Sequence, residues 1–405
     1  MDPAGKRCDK SDRGGGLMAI QPQQPLIMQF GTSRFLQAHV DYFIGQSLAA
    51  GRSSAPVAVV QTSASEAGKA RVAAMTRGAA TNNSLAGYPV RIQGLMDGQV
   101  VDSEEQVRCI ECAMVAQEEW PRVVQLFWQR VTHVVSNTAD SGYQLHDDDH
   151  PDAAPPRSFP AKLLVLLLAR YQSGRSGVTI MPCELVANNG QVLKEIVLDL
   201  ARAWALPDTF IQWLGRECLW VNSLVDRIVS QAIEPLGAVA EPYALWAIEQ
   251  QPGLALPCEH EAIRCVPDLA PLEWLKLGVL NLSHTYLVEL WQEGLDRSVT
   301  TVHEAMQSPA LRAELESMLQ QEVIPILRAM ELGEEIDAYV DSVRERFQNP
   351  FLHHRLDDIA QNHPVKLERR ILPIWQQGRA LLPQLALPRL TACLGRHQLV
   401  SGSGD

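Results

Sequence analysis

The sequence predicts an α/β fold in two parts, a parallel sheet covered by helices and then a mostly helical domain. In the first half, short β-branched runs alternate with helical spacing, and from about Leu269 onward helical spacing dominates. Four prolines crowd residues 252–271 between the two patterns. A chain of 405 residues has room for two domains. We therefore predict a disordered leader at residues 1–24, an α/β domain at 25–265 and a helical domain at 266–396.

Strand-like and helix-like segments alternate through the α/β part, as a parallel sheet with helices on both faces requires. The predicted strands are residues 26–30, 57–62, 134–137 and 178–183. The predicted helices of this part are residues 35–50, 66–75, 118–130 and 160–171. Asp97-Gly98 predicts a hairpin between strands at 90–95 and 100–103.

Beyond the proline cluster, helical spacing is nearly continuous and strand signals are few. The predicted helices of this part are residues 272–290, 311–330, 334–348 and 366–380. The second domain is therefore predicted to be mostly α-helical.

Composition excludes several classes of partner. The net charge of −12 opposes binding to nucleic acid or to an anionic membrane, because both require a basic face. The longest apolar run, residues 163–169, is far shorter than the ~20 residues of a bilayer span. Cys109 and Cys112 form a lone CxxC without the second ligand pair of a structural zinc site, so we expect no metal there. Scattered cysteines are typical of a reduced, cytoplasmic protein.

The turn Gly31-Thr32-Ser33-Arg34-Phe35 lies between the first predicted strand and the first helix. A dinucleotide-binding fold places its pyrophosphate there, on backbone N–H groups at the helix N-terminus, so a Rossmann-like domain is predicted. Ser33 stands where a second glycine is usual, and a plain strand-to-helix turn remains an equal alternative. No acidic residue follows the second strand before Glu66, so the choice between NAD and NADP stays open.

Lys276, Asn281 and His284 are candidate catalytic residues in an otherwise apolar helical stretch. Burial disfavours the charged form of a lysine, which is what a lysine needs to act as a general base near neutral pH. Asn281 can donate to a developing alkoxide, and His284 can bond a substrate hydroxyl. On spacing alone, a buried helix with satisfied polar groups is a slightly better interpretation.

The spacing Lys-x4-Asn-x2-His resembles the signature of the mannitol dehydrogenase family, the polyol-specific long-chain dehydrogenases. Four more motifs occur in the same order and extend the resemblance over roughly residues 26–390. They are Phe30-Gly31 through Phe35 and Ala38, Ser136-Asn137-Thr138, Val225-Asp226-Arg227-Ile228, and Arg346-Phe347-Gln348-Asn349-Pro350 with Lys366.

Within the family, the chain is most similar to the hexuronate branch, which interconverts tagaturonate and altronate. Pro182-Cys183-Glu184-Leu185 with Asn189-Gly190 is similar to that branch. Leu185 stands where the mannitol branch has a carbonyl-polarising asparagine, and Asp358 where it has a substrate-binding arginine. The resemblance therefore implies a sugar acid rather than mannitol as substrate.

The resemblance also implies a mechanism, metal-independent hydride transfer between NAD and a sugar carbon. Lys276 would be the acid/base, Asn281 would stabilise the oxyanion, and His284, Asp226 and Lys366 would hold the substrate. Lys366 or Arg355 would meet a carboxylate, although a surface salt bridge is the commoner fate of such residues. The implied cofactor-binding residues are Phe30, Gly31, Thr32, Ser33, Arg34, Phe35, Leu36, Ala38, Asn137 and Thr138.

Three alternatives remain at this point. The alternative substrates are fructuronate and a neutral polyol such as mannitol or arabinitol. A non-catalytic dinucleotide-binding protein is the alternative of another class, favoured by Ser33, Leu185 and a chain that ends soon after Leu390, where the family continues. NADP, and either a monomer or a homodimer, are also compatible with the sequence.

Overall fold

The computed structural model describes residues 24–79, 85–138 and 142–400. The predicted leader at residues 1–24 lies, apart from Gln24, outside the described residues. Within the described part of the chain, a strand-and-helix region is followed by a helical region. The predicted α/β fold class is therefore confirmed.

Two sheets occupy the first region. The strands are β1 (Leu26–Phe30), β2 (Val57–Gln61), β3 (Ala86–Met96), β4 (Gln99–Val115), β5 (Val131–Ser136), β6 (Thr179–Pro182), β7 (Leu219–Trp220), β8 (Ser223–Asp226), β9 (Val229–Ala232), β10 (Ala238–Ala240), β11 (Leu245–Glu249) and β12 (Ile263–Val266). The larger sheet has the order β7-β6-β5-β1-β2-β4-β3-β10-β9, and the smaller has the order β12-β11-β8. In the larger sheet, the six strands from β7 through β5, β1 and β2 to β4 run parallel to one another. Strands β3 and β4 form the predicted antiparallel hairpin.

Helices cover the larger sheet and form the second region. The helices are α1 (Arg34–Ala38), α2 (Val40–Ala49), α3 (Glu66–Ala79), α4 (Ala116–Arg130), α5 (Phe159–Gln172), α6 (Asn189–Ala203), α7 (Asp208–Arg216), α8 (Ala270–Leu275), π1 (Lys276–Asn281), α9 (Leu282–Gln292), α10 (Val302–Gln307), α11 (Pro309–Met318), π2 (Leu319–Val323), α12 (Ile324–Ala329), α13 (Ile336–Phe347), α14 (Leu356–Ala360), α15 (His363–Lys366), π3 (Leu367–Ile371), α16 (Leu372–Leu381) and α17 (Pro388–Arg396). No helix in the described residues is both long and apolar enough to cross a bilayer.

Strand β1 lies inside the larger sheet, between β5 and β2, and all five of its residues are buried. Its two faces contribute to two apolar cores, because Ile27 packs with one cluster and Met28 with the other. The chain passes from β1 to β2 on one side and later returns to β5 on the other side. Open α/β sheets bind ligands at such a switch point, beyond the carboxyl ends of the strands.

The sequence did not predict the six short strands between residues 219 and 266. They have two to five residues each, too few for a periodic pattern to stand out. The predicted helices at 272–290, 311–330 and 366–380 are each interrupted by a π turn, which the sequence pattern did not indicate.

The CxxC pair lies inside strand β4. Residues three apart in a strand point to opposite faces of a sheet, and Cys109 and Cys112 accordingly pack with different cores. The two thiols therefore cannot share a ligand.

Candidate active site

The turn after β1 requires glycine at residue 31. Gly31 has a φ of +116°, and a Cβ there would lie 2.6 Å from the backbone oxygen of Asn137. Its N–H donates to the Val60 carbonyl oxygen at 3.0 Å. The absence of a side chain therefore lets the carboxyl ends of β1 and β5 approach each other.

Ser33 has a structural reason for standing in place of a second glycine. Its hydroxyl is the N-cap of α1 and accepts from the Leu36 N–H at 3.2 Å. The same hydroxyl donates to the side-chain oxygen of Asn137 at 3.3 Å. The serine thus fixes the start of the helix and ties it to the end of β5.

The other residues predicted for the cofactor turn divide into two groups. Phe30, Leu36 and Ala38 are fully buried in the apolar cores. For these three residues, the predicted role in cofactor binding is therefore limited to supporting the shape of the turn. Thr32 is buried and donates to Gln61 at 2.6 Å. Arg34 is exposed, with its side chain on the solvent side of the turn.

Glu184 holds the end of β5 in place. Its carboxylate accepts from the Ser136 hydroxyl at 2.9 Å and from both the N–H and the hydroxyl of Thr138 at 3.0 and 2.9 Å. The Asn137 amide donates to the Cys183 carbonyl oxygen at 2.8 Å. These bonds orient Asn137 and Thr138 beside the turn, a role for Glu184 that the sequence had not assigned.

Lys276 and Asn281 lie at the two ends of the π turn π1. A π turn closes hydrogen bonds between residues five apart, and such turns are frequent at functional sites. In an α-helix, residues five apart lie on different faces. The wider π turn brings such residues nearer to one face, and Lys276 but not Asn281 lines the cavity described below.

The Lys276 side chain is partly buried and donates to the Val225 carbonyl oxygen at 2.8 Å. Burial lowers its pKa, and the charges of Arg346 and Arg370 lower it further, while Asp226 opposes them. The net direction is downward, toward the neutral amine that a general base requires.

Asp226 belongs to a buried ion cluster next to this lysine. Its carboxylate accepts two hydrogen bonds of 3.0 Å from Arg346 and one of 3.0 Å from the Tyr339 hydroxyl. Arg346 also donates to Glu241 at 2.8 and 3.0 Å. Burial opposes ionisation of Asp226, but Arg346 and Lys276 hold its pKa below the ordinary value.

Two neutral imidazoles lie beyond the cluster. The His284 ring is 4.4 Å from the Phe347 ring and 4.7 Å from the His354 ring, measured between centroids. Burial and neighbouring cations hold the His284 pKa well below its ordinary value and lower that of His354 to about 4. Among the described residues, neither His284 Nε2 nor His354 Nδ1 has a hydrogen-bond partner.

A cavity of about 290 Å³ lies between the turn after β1 and the Lys276 side chain. Of the predicted site residues, Asn281, His284 and Lys366 do not line this cavity in the described chain. It is lined by Phe35, Asn137, Cys183, Glu184, Leu185, Val225, Asp226, Arg227 and Lys276. One wall therefore comes from the turn predicted to bind the cofactor, and the opposite wall carries the predicted acid/base. Leu185 is 73% exposed at this cavity and brings no hydrogen-bonding group to it.

Of the two cations predicted to meet a carboxylate, Arg355 is already occupied. It forms a two-bond ion pair with Asp357 at 2.9 and 2.7 Å, and both side chains are about half exposed. Lys366 is partly buried and donates to the Ile359 carbonyl oxygen at 2.6 Å.

Sequence reasoning missed Glu241, Tyr339 and Arg370, and it noted Arg346 without giving it a role. Glu241 stands in the apolar stretch Ala238–Ala240 and Pro242, where one acid is no signal by itself. Arg346 could have been found, because it lies three residues after Val343 on the apolar face of its helix, where an arginine needs an acidic partner.

Comparison with known families matches most of the chain. The family model of the mannitol dehydrogenase Rossmann domain matches residues 25–256, and that of the mannitol dehydrogenase C-terminal domain matches residues 268–394. An altronate oxidoreductase of Halalkalibacterium halodurans is 32% identical, covering 93% of this chain and 76% of that protein. One of Bacillus subtilis is 30% identical, covering 91% and 78%.

Solved structures share the fold at lower identity. A substrate-free D-sorbitol dehydrogenase superposes with a TM-score of 0.78 at 20% identity, covering 92% of this chain and 80% of its own. Pseudomonas fluorescens mannitol 2-dehydrogenase, solved with NAD and D-mannitol, gives 0.71 at 18% identity, covering 92% and 78%. These likenesses extend over both regions of the chain and confirm the predicted fold.

Proposed function

The chain belongs to the mannitol dehydrogenase family, and we propose that it is an NAD-dependent oxidoreductase that interconverts a keto-hexuronate and its hexonate, tagaturonate and altronate. Altronate oxidoreductases at 30–32% identity over more than nine tenths of the chain support this substrate class. A dehydrogenase acting on a CH–OH group follows from the family itself.

The observation that carries the proposal is the cavity between the turn and the π segment. Phe35 and Asn137 line it from the side of the turn, and Asp226 and Lys276 line it from the other side. Hydride transfer needs the cofactor and the acid/base within one enclosed space, with the reacting carbon between them. This cavity lies between residues proposed to bind the cofactor and the proposed acid/base.

The turn fits a dinucleotide. Gly31 leaves no side chain between β1 and β5, and the Ser33 cap aims the first turn of α1 at the same edge. Thr32, Ser33, Arg34 and Phe35 would hold the pyrophosphate end, and Asn137 and Thr138 the nicotinamide end. Bound NADH would supply the hydride at this edge, and the chain's own residues supply the rest.

Lys276 is the proposed acid/base. In reduction, its ammonium gives a proton to the oxygen of the new alcohol, and in oxidation its neutral amine removes that proton. Asn281, at the other end of π1, is the proposed donor to the oxygen while it carries negative charge. Asp226, which is held in place by Arg346 and Tyr339, stabilises the ammonium form of Lys276 and so opposes the fall in its pKa.

Two observations favour a sugar acid over a neutral polyol. Leu185 gives the cavity an apolar side chain, whereas the mannitol branch has an amide that polarises the carbonyl. The two relatives described above, at 32% and 30% identity, are named for altronate, whereas the two solved polyol dehydrogenases are 20% and 18% identical. We propose no metal in this chemistry, and a cytoplasmic setting, which the seven free cysteines of the described chain favour.

The test is NADH consumption with tagaturonate, fructuronate and fructose, repeated with NADPH. We expect the highest kcat/KM for tagaturonate with NADH. A higher value for fructuronate or fructose would select the corresponding alternative substrate. NADH binding without turnover of any of the three would favour the non-catalytic dinucleotide-binding protein.

A further inference from the structure

We propose that Arg370, together with Lys366, binds the carboxylate of the substrate and so sets the preference for a sugar acid over a neutral sugar. This inference rests on the proposed function and adds to it the residues that recognise the acid. It assigns a role to an arginine for which the sequence motifs gave none.

Arg370 lies in the π turn π3, which packs against both the catalytic segment π1 and helix α9. Its guanidinium reaches the Thr285 hydroxyl at 3.4 Å, and Thr285 is the residue after His284. Its charge is close enough to lower the pKa of both Lys276 and His284. The arginine therefore belongs to the surroundings of the proposed reacting oxygen.

Arg370 has no acidic partner among the described residues, although it is partly buried. Arg346, the other arginine of this region, is matched by the two carboxylates of Asp226 and Glu241. Lys366 donates only to a backbone oxygen, and the charge of Arg370 lowers its pKa. Burying two adjacent cations without an anion is unfavourable unless a ligand supplies one.

Asp358 lies close enough to His354 for its charge to raise the pKa of that imidazole. It forms no ion pair with either cation in the described chain, and its own N–H is bonded to Asp357. A planar guanidinium beside an ammonium matches a carboxylate, because arginine offers it two parallel hydrogen bonds. The unpartnered His284 Nε2 and His354 Nδ1 remain for the hydroxyl groups of the same ligand.

The experiment compares tagaturonate with its methyl ester, which keeps the sugar and removes the charge. We expect Arg370→Gln to lower kcat/KM for the acid by about 10- to 100-fold, mostly through KM, because a charge-assisted pair is lost. The ester should change by less than about threefold. Arg370→Lys should keep more of the preference for the acid than Arg370→Gln does.

Arg369→Gln is the matched control, because it removes the same charge from an exposed residue of the same turn. Should Arg370→Gln fold poorly by its melting temperature, Lys366→Gln and Arg370→Lys carry the same acid-to-ester comparison. Equal losses on acid and ester, or none on the acid, overturn the inference while the proposed function stands. No turnover of either form by the wild type overturns the proposed function, and the inference with it.

Discussion

Two polar clusters of the helical region differ in how completely their charged groups are paired. Around Glu289, the donors of His363, Arg396 and His397 converge on one buried carboxylate at 2.8 to 3.3 Å. We call these four residues the Glu289 cluster. Around Lys276, by contrast, the ammonium holds one backbone oxygen, Arg370 has one long bond to a hydroxyl, and His284 Nε2 has no partner in the described chain.

We infer from this difference that the Glu289 cluster stabilises the fold and that the groups around Lys276 bind a ligand. A saturated buried carboxylate holds elements together, here α9, α15 and the end of α17. A buried charge without an opposite charge costs free energy, and a charged ligand can offset that cost. Both clusters contain histidine and charged residues on helices, so residue type alone does not distinguish them.

The largest expected effect comes from Lys276→Met, which keeps the length of the side chain and removes the proton. We expect kcat to fall by about 10²- to 10⁴-fold, the usual contribution of a general acid or base. NADH affinity, followed by fluorescence titration, should change little, because the turn after β1 is untouched. Lys69→Met is the control, since that lysine lies on the surface of α3 beside Glu66. Retained turnover in Lys276→Met would assign the proton to another group.

Glu289→Gln should have the opposite effect, because it should lower the stability of the protein and leave its catalytic activity unchanged. The Glu289 carboxyl is buried, which opposes ionisation, but hydrogen bonds from His363, Arg396 and His397 lower its pKa to about 2. A shift of that size corresponds to about 3 kcal/mol of unfolding free energy near neutral pH. Urea unfolding should report that loss, while kcat/KM well below the melting temperature stays near wild type.

The sign of the pH dependence follows from the same shift. A carboxyl whose folded pKa is depressed stabilises the protein above its unfolded pKa, and this contribution is lost as pH falls through the folded pKa. The difference in stability between wild type and Glu289→Gln should therefore shrink from about pH 5 toward pH 2. A difference that does not depend on pH would mean that packing, not charge, makes the contribution.

The sequence predicted the frame of the active site better than its interior. Gly31 and the β1 strand were predictable, because a buried run followed by glycine and a helix pattern has few other interpretations. The π turn at Lys276–Asn281 was not, since the apolar spacing of the segment is that of an ordinary helix. In an ordinary helix, Lys276 and Asn281 would lie on different faces.

Charge pairing was the other feature that the sequence left undetermined. Asp226 and Glu241 precede Arg346 by 120 and 105 residues in the chain. The three side chains meet where helix α13, which carries Arg346, packs against β3 and π1. Arg355 and Arg370 have the same residue type and lie fifteen residues apart. The structure alone shows that one is neutralised by Asp357 and the other is not.

A smaller effect is expected in the pH profile of oxidation. The neutral form of Lys276 is the base, so the rate should rise with pH through a pKa that burial and two arginines have lowered below its ordinary value. Reduction, which needs the ammonium, should fall over the same interval. Because Arg370 lowers this pKa, Arg370→Gln should move both midpoints to higher pH, and Arg369→Gln should move neither. Unmoved midpoints in Arg370→Gln would place its charge too far from the lysine to matter.

The smallest expected effect is that of metal removal on the Glu289 cluster. Its carboxylate and two imidazoles place ligand atoms within 4.8 Å of one another, a spacing that a divalent cation could use. Arg396 already holds the same carboxylate, however, and its positive charge opposes a second cation there. Among the described residues, His363 Nδ1 also lacks the acceptor that normally orients a metal-bound imidazole.

We therefore predict that the Glu289 cluster is complete as an ion network. Treatment with EDTA should leave the melting temperature unchanged, and added Zn²⁺ should not raise it, as measured by scanning calorimetry. The Glu289→Gln variant is the reference for how far the melting temperature moves when the cluster is broken. If Zn²⁺ raises the melting temperature of the wild type but not of Glu289→Gln, the cluster is a metal site. The complete pairing of the Glu289 carboxylate would then no longer distinguish this cluster from the active site.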